Sequence, residues 1–201
     1  MGSVMEDRRL AKLGKFLALI LRHQPERFAL ALDEQGWASL TEVLAILNGL
    51  PNFRWATLAD VRNVAAADGE AGVHRFEVQG DRIRACYGHS FDRLIAYEPC
   101  TPPPVLYYGA PRPAIDSIRQ RGLLPIGRQY VHLSTDPDTA LRLGTPQSEV
   151  PLLVRVRAAE AYAAGITFYS AGETVYLART IPAQFVALGD VSAPADARSA
   201  R

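Results

Sequence analysis

Along the first part of the chain, apolar residues return every three or four positions: Leu10, Leu13, Phe16, Leu17, Ile20 and Leu21, with Lys12 and Lys15 off the stripe. That period predicts a helix from about residue 7 to 23 with one buried face. Pro25 disfavours helical backbone at Gln24 and ends the element. A second helix is expected at SLTEVLAILN, with Ser39 as cap and Glu42 three residues on, the reciprocal capping pair. A third follows at TLADVRNVAAADG, where Thr57 and Asp60 repeat the device and Gly69 supplies a stop. HRFEVQGDRIRACYG then reads as two short strands around Gln79-Gly80-Asp81, a hairpin. Three helices followed by a hairpin are the parts of a winged-helix domain.

The pattern changes after EPCTPPPV, residues 98–105, whose four prolines in eight positions predict an extended, stiff linker. Beyond it come short β-like runs: VLYYG, YVHLST, VPLLVRVRA, ITFYSA, TVYLAR and FVALGD. Helix candidates lie between them at 113–121, 136–143 and 158–164. The expected fold is therefore α+β. It has an N-terminal lobe at residues 1–97 and a C-terminal lobe with a substantial sheet at 106–190. The tail, 191–201, is small and polar enough to be disordered. There is no internal repeat.

Composition narrows the classes. At 201 residues and 48% hydrophobic, the chain is long enough to bury one large core or two small ones. No apolar run reaches the roughly 18 residues of a membrane span, and MGSVMEDRRLAK lacks a signal-peptide core, so a soluble cytoplasmic protein is expected. Cys86 and Cys100 have neither metal-ligand spacing nor the density of a disulfide scaffold. The net charge is +1, and it is balanced in both halves: twelve Lys and Arg against twelve Asp and Glu in residues 1–97, ten against nine beyond. No long-range field draws the protein to nucleic acid indiscriminately. Twenty of the cations are Arg, whose planar fork suits phosphate and carboxylate. An Arg-rich composition also follows from codon usage, so each arginine has to be judged by position.

The four histidines stand in Arg22-His23, His74-Arg75, Gly88-His89-Ser90 and Val131-His132-Leu133-Ser134. None has zinc-site spacing, and there is neither a glycine-rich phosphate loop nor a GxSxG elbow. Each charged residue alone has a bland reading. Arg22 answers the helix dipole, worth about 0.3 to 1 kcal/mol. Arg75 is then a solvent-facing strand residue, and Arg128 a partner in a loop salt bridge.

The ordered set is more specific than its members. LGKFLALILRHQPE, LDEQGWASLTEVL, HRFEV, RIRACYGHS, LYYGA, GLLPIGRQYVHLSTD and FYSAGETVYLARTIP resemble the tRNA 2′-phosphotransferase family in order and spacing, over roughly residues 10 to 190. The resemblance implies a winged-helix lobe joined to a lobe of ADP-ribosyltransferase type with a central, mainly antiparallel sheet. It implies removal of an internal RNA 2′-phosphate with NAD⁺ consumed as co-substrate, and no metal. The phosphate first displaces nicotinamide, and a ribose hydroxyl then takes the phosphate to give 2′-hydroxyl RNA and ADP-ribose 1″,2″-cyclic phosphate. The family's essential arginines and histidine fall on Arg22, His23, Arg75 and Arg128. Such a set suits a reaction whose nucleophile is already an anion, where positioning and charge compensation matter more than a base.

By the same resemblance, NAD⁺ contacts are expected from Tyr107, Tyr108, Gly109 and Ala110, from His132, Leu133, Ser134 and Asp136, and from Phe168 and Ser170. Gly109 is expected to leave room for close approach of the dinucleotide. The chain departs from the family pattern at Tyr108 for His, Ala110 for Thr and Tyr87 for Gln, changes that bear on NAD⁺ and not on the arginines. Two other readings stay open. One is an ADP-ribosyltransferase acting on a terminal nucleic-acid phosphate or a protein, for which Glu173 in AGETVY is the candidate carboxylate. The other is a non-enzymatic winged-helix binder of nucleic acid or NAD⁺. A monomer is expected.

Overall fold

The computed structural model describes residues 2–67, 73–144 and 151–188. Gly69 and the tail at 191–201 lie outside the described residues. The first helix is not uniform. It runs as α1 (Gly2–Ala18) and then continues as a π-turn over Leu19–His23, closed by a Gln24 N to Leu19 O bond of 2.8 Å. Leu13, Leu17, Ile20 and Leu21 are all fully buried. The wider turn adds a residue to the spiral and rotates Arg22 and His23 off that stripe, a device often found at functional sites.

Three more helical and strand elements complete the first core. They are β1 (Ala38–Ser39), α2 (Leu40–Gly49) and α3 (Leu58–Ala66). The reciprocal box expected at Ser39 and Glu42 does not form: Ser39 Oγ accepts instead from Thr41 N at 3.2 Å. The one at Thr57 and Asp60 does, with Asp60 N donating to Thr57 Oγ1 and Thr57 N to Asp60 Oδ2. The hairpin pairs β2 (Phe76–Gln79) with β3 (Arg82–Ala85), and β1 adds to β3, giving the order β1-β3-β2. Val43, Leu47, Val61 and Ile83 close this core, each at 0% exposure.

The second sheet has seven antiparallel strands. In chain order it comprises β4 (Pro99–Cys100) and β5 (Val105–Ala110), then, after α4 (Ile115–Arg121), β6 (Val131–Ser134). Next come α5 (Pro137–Gly144), β7 (Leu152–Arg157), α6 (Ala158–Ala163), β8 (Phe168–Ser170), β9 (Val175–Ala178) and β10 (Val186–Ala187). Every strand and helix expected in this half is present, in the order β10-β7-β5-β6-β9-β8-β4. The start of the proline-rich stretch is the outermost strand: Pro99 and Cys100 pair with Tyr169 and Phe168, an edge position where proline is tolerated.

Alternation along the strands gives the sheet two different faces. Val131, Leu133, Val154, Val156 and Phe168 pack with Ile118 of α4 and Ala161 of α6. On the other side Val175 and Leu177 pack against Val73 and Tyr87 from the first lobe and Tyr130 from the second. That second cluster is where the lobes meet. No helix among the described residues is long and apolar enough to cross a membrane.

Candidate functional site

The π-turn delivers Arg22 to the seam between the lobes. Its Nη2 donates to Arg75 O at 2.9 Å, and its guanidinium carbon lies 4.9 Å from the Tyr87 ring centroid and 5.4 Å from that of Phe76. The neighbouring chain is shaped to fit: Ser90 N donates to Arg22 O at 2.9 Å, and Gly88, at φ +89°, adopts backbone that a side chain rarely tolerates. Burial, with the Arg75 and Arg128 cations, lowers the Arg22 pKa, an effect that Tyr87 partly opposes. Arg22 Nε is enclosed without a hydrogen-bond partner. Among the described residues neither Arg22 nor Arg128 has a carboxylate within ion-pair distance.

His23 stands beside it at the surface, where Nδ1 and Ser90 Oγ share a hydrogen bond of 2.8 Å. Loss of water, then the Arg22 and Arg128 cations, lowers its pKa, so the imidazole is neutral at pH 7. Arg75 precedes β2, and its carbonyl also accepts from Cys86 N at 3.0 Å, which extends the hairpin ladder by one step. Arg128 comes from the other lobe, in the loop before β6. Its Nη1 donates to Leu143 O at the end of α5, and loss of water lowers its pKa against the opposing influence of Tyr108 and Tyr87. The four residues expected to act together are thus drawn from both lobes and share one electrostatic environment.

What fixes Arg128 against the first lobe was not legible in the sequence. Gln129 Nε2 donates to Phe91 O and Arg93 O at 2.8 and 2.7 Å, and its Oε1 accepts from Ile95 N at 2.9 Å. Its own N–H donates to His89 O, and Tyr130 Oη donates to Ile95 O. The 89–96 segment is strapped in turn to the first lobe, through Arg93 Nη2 to Leu32 O and Ala96 N to Glu34 O. No periodic or compositional signal marks Gln129; its only sequence cue is that it adjoins Arg128.

The residues expected at the dinucleotide divide into two groups. β5 and β6 pair at a single position, Tyr107 with Ser134, so the sheet splays there. Tyr107 and Tyr108 are half-buried at this split, and Arg128 partly offsets the rise that burial gives the Tyr108 pKa. His132 is buried, its Nε2 has no partner among the described residues, and desolvation first, then the nearby arginines, holds its pKa well below 6.5. Ser134 is buried as well, with Oγ accepting from Asp136 N at 3.1 Å.

The others have structural work that accounts for them. The space beside Gly109 is not left open: a Cβ there would meet Ala140 O at 2.4 Å, so the glycine is required by the close approach of α5. Ala110, Leu133 and Phe168 point into the core at 0% exposure. Asp136 Oδ2 accepts from Thr139 N at 2.8 Å as a cap of α5, and hydrogen bonds from the Thr139 side chain first and its backbone second lower the Asp136 pKa. Ser170 lines a separate hollow with Trp37, Arg82 and Arg84, its Oγ donating to Gly172 O. Glu173 is exposed in the turn between β8 and β9. Among the described residues no group of three His, Cys, Asp or Glu stands close enough to share an ion.

Comparison with known proteins bears on this arrangement. The model of the family described as RNA 2′-phosphotransferase, Tpt1 / KptA family, matches residues 8–180. A protein of Acetivibrio thermocellus named "Probable RNA 2′-phosphotransferase" is 38% identical over 176 residues, covering 88% of this chain and 95% of its own. One of the same name from Streptomyces griseus is 38% identical over 192 residues, 92% of this chain and 99% of its own. "Probable RNA 2′-phosphotransferase 1" of Archaeoglobus fulgidus is 31% identical over 183 residues, 91% and 82% respectively.

Proposed function

Because this chain belongs to the RNA 2′-phosphotransferase, Tpt1 / KptA family, we propose that it removes an internal 2′-phosphate from RNA, with NAD⁺ consumed as the acceptor. The observation that carries this reading is Arg22: a part-buried guanidinium with its Nε enclosed, no carboxylate partner among the described residues, and two further arginines in its field. Like charges drawn together at that cost fit a receptor for a multiply charged anion, and a phosphate monoester is such an anion. Three helices with a hairpin support a winged-helix first lobe, and the splayed antiparallel sheet supports an ADP-ribosyltransferase-like second lobe.

NAD⁺ would supply an electrophilic ribose carbon with nicotinamide as its leaving group, and afterwards a ribose hydroxyl that takes over the phosphorus. The residues at the β5/β6 split fit that co-substrate: half-buried aromatic rings for stacking, and an unpartnered buried imidazole nitrogen on His132. Tyr107, Tyr108, His132 and Ser134 are the side chains that would hold it. Gly109, Ala110, Leu133 and Phe168 act behind them, packing the core and α5. Asp136 orients α5.

Arg22, Arg75 and Arg128 receive the phosphate oxygens and spread their charge as the phosphate is transferred. His23 acts where the RNA oxygen departs. The tautomer that serves is the one in which Nδ1 accepts from Ser90 Oγ, since Nε2 then keeps the single ring proton and is a donor to that oxygen. The proton lost by the attacking hydroxyl balances the one gained by the RNA 2′-oxygen.

The test is a short RNA bearing one internal 2′-phosphate, incubated with the protein and NAD⁺, with products resolved by mass. Dephosphorylated RNA together with an ADP-ribose cyclic phosphate supports both steps. ADP-ribosylated RNA that accumulates restricts the activity to transfer. Unchanged RNA at stoichiometric enzyme overturns the reading.

A further inference from the structure

One side chain in the seam has a polar end that the fold does not use. Tyr87 follows β3 and precedes the Gly88 turn, and it is 6% exposed. Its ring packs with Val175 and Leu177 of the second lobe and meets the edge of His132 with centroids 5.8 Å apart at 69°. The Arg22 guanidinium lies over it at 4.9 Å, so this departure from the family pattern, expected to bear on NAD⁺ and not on the arginines, does touch one of them. Among the described residues the Tyr87 hydroxyl has no hydrogen-bond partner. The oxygen is not one of the enclosed, unpartnered polar atoms, so it stays accessible in the seam and open to a ligand. Packing and cation–π contact alone would be met as well by phenylalanine.

The direction in which that hydroxyl is useful follows from its neighbours. It interacts electrostatically with Arg22, Arg75 and Arg128 together. Among the described residues no other side chain with a perturbed ionisation feels all three. Burial raises its own pKa, so at neutral pH it carries its proton. A neutral O–H amid three cations has its oxygen drawn towards them and its proton free for an anion held between them.

We propose that Tyr87 is a further substrate-binding residue, whose ring seats the Arg22 guanidinium and whose hydroxyl donates a hydrogen bond to an oxygen of the RNA phosphate. The inference rests on the phosphotransfer reading and adds a neutral donor to the three charged ones. A neutral donor adds directional recognition without adding repulsion to an already crowded set of cations.

The experiment is equilibrium binding of two RNAs of one sequence, one with an internal 2′-phosphate and one with a 2′-hydroxyl, in the absence of NAD⁺ so that nothing turns over. Wild-type protein should prefer the phosphorylated RNA. Tyr87→Phe keeps the ring and should lose about tenfold of that preference, the range of a hydrogen bond to a charged group, with the 2′-hydroxyl RNA bound as before. Tyr87→Leu should lose more, because Arg22 is no longer seated. An undiminished preference in Tyr87→Phe overturns the hydroxyl's role. Equal losses in the two variants overturn the ring's. A wild-type protein indifferent to the phosphate would instead fell the phosphotransfer reading, and this inference with it.

Discussion

Gln129→Ala tests whether the lobes are held in register by one carboxamide. In the wild type that group makes three hydrogen bonds at 2.7 to 2.9 Å, two part-buried and one exposed. At about 1 kcal/mol for each part-buried bond and less for the exposed one, the expected cost is about 2 to 3 kcal/mol. Ile95 is fully buried, so its N–H is the group least able to find water as a substitute. For a chain of this length that cost corresponds to a fall in Tm of roughly 5 to 10 °C, read by thermal or urea unfolding. Gln129→Glu keeps the acceptor for Ile95 N but sets a carboxylate oxygen against the carbonyls of Phe91 and Arg93, so it should do no better than alanine. Because Arg128 is the adjoining residue, both variants should also weaken binding of 2′-phosphorylated RNA. A Tm within about 1 °C of wild type in Gln129→Ala would refute the reasoning, because the three bonds would then be worth nothing net.

Three further outcomes are expected. Gly109→Ala places a Cβ 2.4 Å from Ala140 O and 2.9 Å from Leu141 Cα, both backbone atoms; the loss should be at least about 2 kcal/mol in urea unfolding, and an unchanged midpoint would show that α5 is free to shift. Burial holds the His89 pKa at about 3 and that of His132 well below 6.5, so the unfolded chain takes up protons the folded one refuses. Stability should therefore be full above about pH 7 and fall as the pH drops through 6.5 towards 3, with a loss of roughly 2 kcal/mol from His89 between pH 7 and 5 and a further loss from His132; equal urea midpoints at those two values would contradict it. Burial and, less, Glu77 push the Cys86 thiol up to about 11, so iodoacetamide at pH 8 should label it far more slowly in the native protein than in urea, and equal rates would count against its desolvation.

Local pattern was enough to place most elements, because helix and strand periods and the Thr57–Asp60 box are short-range properties of the chain. It erred where neighbours decide. Glu42 was the right residue at the right spacing for a reciprocal cap, yet Ser39 is also the end of β1, paired with Arg82, and its hydroxyl turns to Thr41 N. The helix predicted through residue 23 changes to a π-turn at Leu19, since the apolar stripe could not show how Arg22 and His23 would be rotated out of it. At Gly109 no local pattern shows that the space a side chain would need is filled by a helix some thirty positions further along the chain.

The division is one of range. The sequence by itself determined the α+β order of elements and supplied residue types suited to a phosphate, with a resemblance that points to four of them as a set. Tertiary structure alone decided that Arg22 is part-buried with its Nε enclosed, that β5 and β6 part after one paired position, and that the Tyr87 hydroxyl finds no partner among the described residues. Desolvation, strand divergence and hydrogen-bond vacancy each depend on groups far apart in the chain being brought within a few ångströms, and no local window of sequence contains that information.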